Sequence, residues 1–264
     1  MNKQILNKRE IQLEELKILK SVVQIIKENK LNYFLCGGTL LGAIRHKGFI
    51  PWDDDIDIMM PREDYEKFIK IFEKKNKNEE LKITALELKN LFQPFCKIVN
   101  TSIEIQDESV CDSKKRYLWI DIFPMDRCNK ENYKCKFRLI SKLKKIIYLR
   151  EYKTEFKNRK NLKNILRTIL RPLSFLVSGN TIRKIAISEP KGKFIANVVW
   201  GYGQKEIMPL HEAIEYIDVE FENEKFNGLK SYDKYLKKLY GNYMELPPKE
   251  KRVTHNIRAW RNIE

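Results

Sequence analysis

The stretch that most limits what this chain can fold into is Asp53-Asp54-Asp55-Ile56-Asp57-Ile58. From Asp55 the acids alternate with isoleucine, and Pro61 ends the run, so residues 55–60 (DIDIMM) read as a β-strand. Alternation places Asp55 and Asp57 on one face and turns Ile56 and Ile58 toward a core. An acidic surface turn with every Asp solvated would not carry Ile56, Ile58 and Met59 at its centre. Two carboxylates held about 6–7 Å apart on a rigid strand repel each other. A hard divalent cation between them removes that repulsion, and an oxygen-only ligand set suits Mg²⁺ or Mn²⁺.

A second feature precedes this strand. Residues 32–36 (NYFLC) form a short apolar run that leads through Gly37-Gly38-Thr39 into a helical pattern over residues 40–45. Paired glycines allow close backbone approach, the helix start offers free N–H groups, and Thr39 adds a hydroxyl, which together suit a phosphate. Downstream, Asp121 stands alone among apolar residues in Leu118-Trp119-Ile120-Asp121-Ile122-Phe123. A lone acid in an apolar strand is costly to bury, so Asp121 is either a metal ligand or the partner of an Arg or Lys. Asp126 competes for the same role, but its position after Pro124 favours a structural one, such as capping the next helix. Arg45 follows the Gly turn closely enough to face the same cleft and grip a phosphate bidentately. Arg252 and His255 lie three apart behind Pro247-Pro248 and share one face if that tail forms a turn.

The rest of the chain is organised around these motifs. Residues 5–26 read as a helix with a stripe at Leu13, Leu16, Leu19, Val23 and Ile26. Residues 62–75 read as another, with Tyr65, Phe68, Ile69 and Phe72 inward. Strands are expected at 81–86, 95–100, 102–106, 117–123 (closed by Pro124), 195–200 and 214–221, and a short helix at 233–239. Residues 125–171 hold neither Pro nor Gly and read as two helices inserted in the domain. The expectation is an α+β fold spanning 1–264: a mixed sheet flanked by helices, with a basic helical insert at about 127–190.

The chain has 264 residues and a formal charge of +16. Of this, +12 falls in residues 134–171, where 14 Lys and Arg face only Glu151 and Glu155. Nucleic acid, an anionic membrane surface or a phosphorylated substrate would each match such a segment. The longest stretch without a formal charge, residues 31–44, is 14 residues and contains three Gly, too short to cross a bilayer. A charged N-terminus without an apolar core and five Cys without a CxxC pair point to a cytoplasmic protein with reduced thiols.

Residues 33–68 (YFLCGGTLLGAIRHKGFIPWDDDIDIMMPREDYEKF) closely resemble the LicD family, which includes fukutin-like sugar-phosphate transferases. Residues 118–126 (LWIDIFPMD) and 240–255 (YGNYMELPPKEKRVTH) match its later signatures, so the resemblance runs through nearly the whole chain. It implies a nucleotidyltransferase-like fold in which Asp55, Asp57 and Asp121 are the metal-binding triad, with Asp53 as a supporting acid. It also implies a transferase that moves phosphocholine, or a polyol phosphate such as ribitol phosphate, from a CDP-linked donor to a glycan hydroxyl and releases CMP. Gly37, Gly38 and Thr39 would hold a donor phosphate, Asp121 would orient or deprotonate the acceptor hydroxyl, and Trp52 is a candidate for stacking a choline head. Nucleic acid is not expected as a partner, because the basic tract carries no reader motif.

One basic segment bears on location. Leu162, Ile165, Leu166, Ile169, Leu170 and Leu173 follow one helical face, with Lys163, Arg167 and Arg171 on another. That pattern suits a helix lying in the inner face of the cell membrane, where lipid-linked acceptors are found, or equally one packed on the domain core.

Overall fold

The computed structural model describes residues 2–106, 116–149, 169–252 and 257–263. Strand β1 (Asn2–Leu6) leads into α1 (Lys8–Glu28), followed by β2 (Phe34–Leu35), α2 (Gly37–His46), β3 (Asp57–Pro61), α3 (Arg62–Lys75), β4 (Leu81–Thr84), β5 (Cys96–Gln106), β6 (Arg116–Cys128) and α4 (Lys130–Tyr148). After a 3₁₀ turn (Arg171–Leu176) come α5 (Gly179–Ala186), β7 (Phe194–Ala196), β8 (Met208–Pro209), α6 (Leu210–Ala213), β9 (Tyr216–Phe221), β10 (Glu224–Leu229), α7 (Tyr232–Tyr240) and β11 (Arg258–Ile263).

The central sheet runs β1-β11-β5-β6-β3-β2, with β4 paired to β5, and β7 to both β6 and β8. The β3–β6 pair is parallel, whereas β5–β6 and β2–β3 are antiparallel, so the sheet is mixed as expected. β9 and β10 form a separate hairpin.

The local rules hold best in α3. Its bounds match the predicted 62–75, and Tyr65, Phe68, Ile69 and Phe72 are all buried. α1 starts at Lys8 because Asn7 closes a capping box: its Oδ1 accepts from the Glu10 N–H at 3.0 Å, and its own N–H donates to Glu10 Oε2 at 2.7 Å. Its buried stripe differs from the predicted one. Leu13 is exposed, while Ile11, Gln12, Glu15, Ile18 and Val22 face inward beside Leu16, Leu19, Val23 and Ile26.

Three expectations for the strands are corrected. β1 and β11 pair with each other along the edge of the sheet, and neither was foreseen. The two strands expected at 95–100 and 102–106 are one strand, β5, broken by an irregularity between Asn100 and Glu104. There the Asn100 Oδ1 accepts from the Ser102 N–H and hydroxyl. β6 runs through Pro124 instead of ending at it. The Asp121 N–H points to β3, where it bonds Ile56 O at 2.9 Å, so alternation turns position 124 toward the opposite flank. On that flank β5 pairs only as far as Ile122 and β7 begins at Asp126. The missing N–H of Pro124 therefore leaves no ladder bond unmade.

The basic insert is helical where it is described. α4, α5 and the loop after β7 build their own apolar cluster from Cys128, Tyr133, Ile140, Ile147, Ile182, Val198, Val199 and Ile207. Leu162, Lys163, Ile165, Leu166 and Arg167 lie outside the described residues. Among the described residues, no helix is long and apolar enough to cross a membrane.

Candidate active site

The acidic strand is placed by its neighbours on both sides. Cys36 N–H bonds Asp57 O at 3.1 Å, so the end of β2 holds the start of β3 directly beside the Gly-Gly turn. The Asp57 N–H donates to Thr39 Oγ1 at 2.8 Å. Thr39 is buried, and this bond ties its hydroxyl to the acidic strand. On the other side, the parallel register sets Asp57 opposite Asp121, and Asp121 in turn lies opposite Lys97 of β5. Register partners share a face, so Lys97, Asp121 and Asp57 form one row across three strands.

Of the two roles left open for it, Asp121 takes that of partner to a Lys. Its Oδ1 lies 2.9 Å from Lys97 Nζ, and its Oδ2 accepts from the Trp119 indole N–H at 3.1 Å. Lys97 also sits over the Trp119 ring, 4.2 Å from the centroid. Among the described residues, no three His, Cys, Asp or Glu side chains converge as a ready-made metal cage. Asp55 and Asp57 face a shared cavity, while Asp121 is turned toward Lys97.

Asp126 has a separate task. Only 1% of its side chain is exposed, and it grips Arg62 at the start of α3 with two parallel bonds, Nε to Oδ1 at 2.7 Å and Nη2 to Oδ2 at 2.9 Å. Its role is structural, as expected, but it ties a helix to the sheet instead of capping the next helix.

Gly37, Gly38 and Thr39 form the first turn of α2. Gly37 has φ +53°, a conformation that favours glycine, and its N–H donates to the Tyr235 hydroxyl at 3.3 Å. A Cβ added to Gly38 would lie 2.7 Å from Asp53 Oδ2, so the Asp53 carboxylate rests against the helix start. An acid there is favoured by the helix dipole. Gly38→Val is expected to push Asp53 aside, and any affinity for a CDP-linked donor should fall at least tenfold by calorimetry. Unchanged affinity for a CDP-linked donor would leave Gly38 as a packing residue only.

A cavity of about 350 Å³ is lined by Gly37, Asp55, Asp57, Phe123, Trp200, Tyr202 and Glu206, among others. A wider cleft of about 500 Å³ beside the β9–β10 hairpin contains neither the acidic run nor the Gly-Gly turn. Of the candidate site residues, Gly37, Asp55 and Asp57 therefore line the smaller cavity.

Two buried acids near the site were not anticipated. Glu15 of α1 is 1% exposed, and its carboxyl is pushed well up, first by burial and then by Asp55, Asp54, Asp53 and Asp57. Its signal was an acid within the apolar stripe of α1. Glu206 is 2% exposed and lines the cavity. Its Oε1 accepts from the Tyr235 hydroxyl at 3.2 Å and its Oε2 from the Tyr202 N–H at 2.8 Å. Burial outweighs these bonds and lifts its carboxyl to about 7. Because the folded value lies above that of the unfolded chain, Glu206 costs stability increasingly as pH rises from about 4.5 to about 7. Glu206→Gln is expected to remove that slope, worth up to about 3 kcal/mol, in urea melts recorded across this range. An unchanged slope would assign the pH dependence to other groups.

The expected cations sit at the edge of the site. Arg45 Nη1 donates to Tyr243 O at 2.6 Å and to Glu245 O at 3.2 Å. Arg252 stacks over Trp52, 4.5 Å from the ring centroid, and its Nε donates to Pro247 O at 3.1 Å. Arg45 and Arg252 thus fasten the tail after α7 to α2 and to the acidic loop, and neither is among the residues lining the cavity. Trp52, considered above as a choline platform, already carries a cation. His255 lies outside the described residues.

Comparison with known proteins adds two findings. The family described as "LicD/FKTN/FKRP, nucleotidyltransferase domain" matches residues 30–161. The "Lipopolysaccharide cholinephosphotransferase LicD" of Haemophilus influenzae is 32% identical over 258 residues, covering 94% of this chain and 96% of that protein. An uncharacterised protein of Rickettsia prowazekii is 45% identical over 47 residues, 18% of each chain.

Proposed function

From the premise that this chain belongs to the LicD family, we propose that it transfers phosphocholine from CDP-choline to a sugar hydroxyl of a cell-surface glycan and releases CMP. The observation that carries this reading is the placement of Asp55 and Asp57 in the wall of a cavity beside the Gly37-Gly38 turn, with Asp121 in register next to Asp57. An arrangement of carboxylates beside a helix start suits displacement at phosphorus, where positioning and charge neutralisation supply most of the catalysis.

The donor set fits Mg²⁺ or Mn²⁺. Every candidate ligand is a carboxylate oxygen, and such ions are commonly held by one or two carboxylates together with substrate phosphates. Burial and the nearby Asp55, Asp121 and Asp53 push the Asp57 carboxyl well up, the mark of a crowded acidic site that a cation relieves. Asp55 and Asp57 would hold the ion, with Asp121 beside them once its carboxylate leaves Lys97. When bound, it would offset charge on the donor diphosphate. A donor phosphate would meet the α2 start at Gly37 and Gly38 once the Asp53 carboxylate, which rests there, gives way. The acceptor oxygen would bond to the phosphorus that bears choline as the bond from that phosphorus to the CMP oxygen breaks, with Asp121 orienting the acceptor hydroxyl or taking its proton.

The test is a donor screen with purified protein, Mg²⁺ and a lipopolysaccharide acceptor, reading CMP released from CDP-choline, CDP-ribitol and CDP-glycerol. Release from CDP-choline supports the proposal. Release from CDP-ribitol or CDP-glycerol alone keeps the transferase and replaces its donor, and release from none of the three overturns the reading.

A further inference from the structure

We infer that the outer face of α4, together with the 3₁₀ turn Arg171–Leu176, is a docking surface for an anionic lipid bilayer. The sequence placed most of the excess charge in this region, and the structure sorts the cations of α4 into two groups. Two face inward and have company: Lys136 is buried beside Glu189 at 3.2 Å, and Lys144 lies 3.9 Å from the centre of the Trp200 ring. The others, Lys130, Lys134, Arg138 and Lys142, recur every fourth residue, and Lys145 follows one turn later. All five are exposed, and none makes an ion pair with a described residue. Residues spaced by three and four share one helix face, so these side chains form one continuous cationic stripe.

Charge alone would describe a solvated helix. The second observation is apolar. The 3₁₀ turn packs against α4, and within and just before it Ile169 is 66% exposed, Leu173 47%, Phe175 69% and Leu176 81%. Leu139, within the stripe itself, is 47% exposed. Single exposed apolar residues are ordinary, but four within eight positions beside an unpaired cationic stripe form a patch. A packed role on the domain core, the alternative reading for Ile169 and Leu173, does not fit their exposure. An anionic bilayer satisfies both features: its headgroups take the stripe, and the interface takes Phe175 and Leu176. A nucleic acid would match the stripe and leave the apolar patch in water.

The same helix also packs behind one wall of the cavity. Lys144 and Tyr148 of α4 both contact Trp200, with the Tyr148 ring 5.1 Å from it, and Trp200 lines the cavity. Docking through α4 would bring the Trp200 wall of the cavity to within about one helix diameter, about 10 Å, of the membrane surface. The docking surface does not depend on which donor the cavity takes.

The experiment is flotation of the full chain with phosphatidylglycerol–phosphatidylethanolamine vesicles and with pure phosphatidylcholine vesicles, at low and high salt. Wild type is expected to float with the anionic vesicles only and to be released by salt. Lys134→Gln/Arg138→Gln/Lys142→Gln is expected to weaken partitioning about a hundredfold, since each cation near such a surface is worth roughly fivefold. Phe175→Ser/Leu176→Ser is expected to weaken it at least tenfold with the salt dependence retained. Melting curves matching wild type show that both variants fold. The proposal is overturned if binding ignores lipid charge or if neither variant loses it. It is also overturned if a random RNA oligomer binds more tightly than vesicles and is lost only in the cation variant, which would give the face to nucleic acid.

Discussion

Asp57→Asn is expected to lower transferase turnover at least a hundredfold, about 2.7 kcal/mol of transition-state stabilisation, while leaving the protein as stable as wild type or more so. The two effects have one origin. Asp57 lies beside Asp55 and opposite Asp121 in the β3–β6 register, and burial and these acids hold its carboxyl well above the usual range. The folded-state value is raised, so the ionised side chain costs stability increasingly as pH rises past the unfolded carboxylate value, and that cost is absent in acid. Asparagine carries no charge and removes the cost, while its backbone N–H still donates to Thr39 Oγ1. Urea melts should therefore show a larger gain at pH 8 than at pH 5. Asp55→Asn should lower turnover to a similar extent. If either variant kept more than about a tenth of wild-type turnover, a loss under ~1.4 kcal/mol, the carboxylates would not be the metal-binding pair.

Exchanging the fates of Asp121 and Asp126 gives the second large effect. Asp126→Ala removes the partner of Arg62, whose side chain is 13% exposed and whose guanidinium lies near the Tyr65 ring. Breaking a buried pair from one side typically costs about 3–5 kcal/mol, and loss of that order is expected here with Mg²⁺ affinity unchanged in the folded fraction. If Asp126→Ala does not fold, Arg62→Met/Asp126→Leu, which removes both charges, should restore the protein. Asp121→Ala should do the reverse. Lys97 keeps the faces of Trp119 and Phe95 and a side chain 19% exposed, so little stability is lost. Mg²⁺ affinity should fall, read by calorimetry. Loss of Mg²⁺ affinity in the Asp126 variant alone would move the metal centre to the Pro124 segment.

Short-range pattern was enough for several parts of this protein. Pro61 and the spacing of Tyr65, Phe68, Ile69 and Phe72 specify α3, because helix period and a preceding proline act within a few residues. The alternation from Asp55 and the glycines at 37 and 38 marked the cavity wall, since side-chain direction in a strand and backbone access at glycine are local properties. The family resemblance linked Asp121 to Asp57 across more than 60 positions, and the β3–β6 register sets the two opposite each other, a pairing no local rule gives.

The tertiary structure decided which groups meet. Strand register, set by pairing between distant segments, put Lys97 opposite Asp121 and thereby turned the third carboxylate away from the first two. A helix start brought Arg62 to Asp126, 64 residues away. Pro124 read as a stop because a proline removes a ladder donor, yet the donor it lacks lies where β6 has no neighbour. Leu13 looked apolar enough to be buried, but the orientation of α1 on the sheet, not its own composition, selects the inward face. Glu206 carries unremarkable local sequence and Glu15 shows only as an acid in an apolar stripe; desolvation by the surrounding fold, joined for Glu15 by the nearby Asp55, Asp54, Asp53 and Asp57, shifts their protonation. The pattern along the chain determined helices such as α3 and brought Asp55 and Asp57 to one cavity wall, although β3 itself begins only at Asp57; long-range packing decided the charge partners of these acids, because an ionisable group's energy depends on what surrounds it in space.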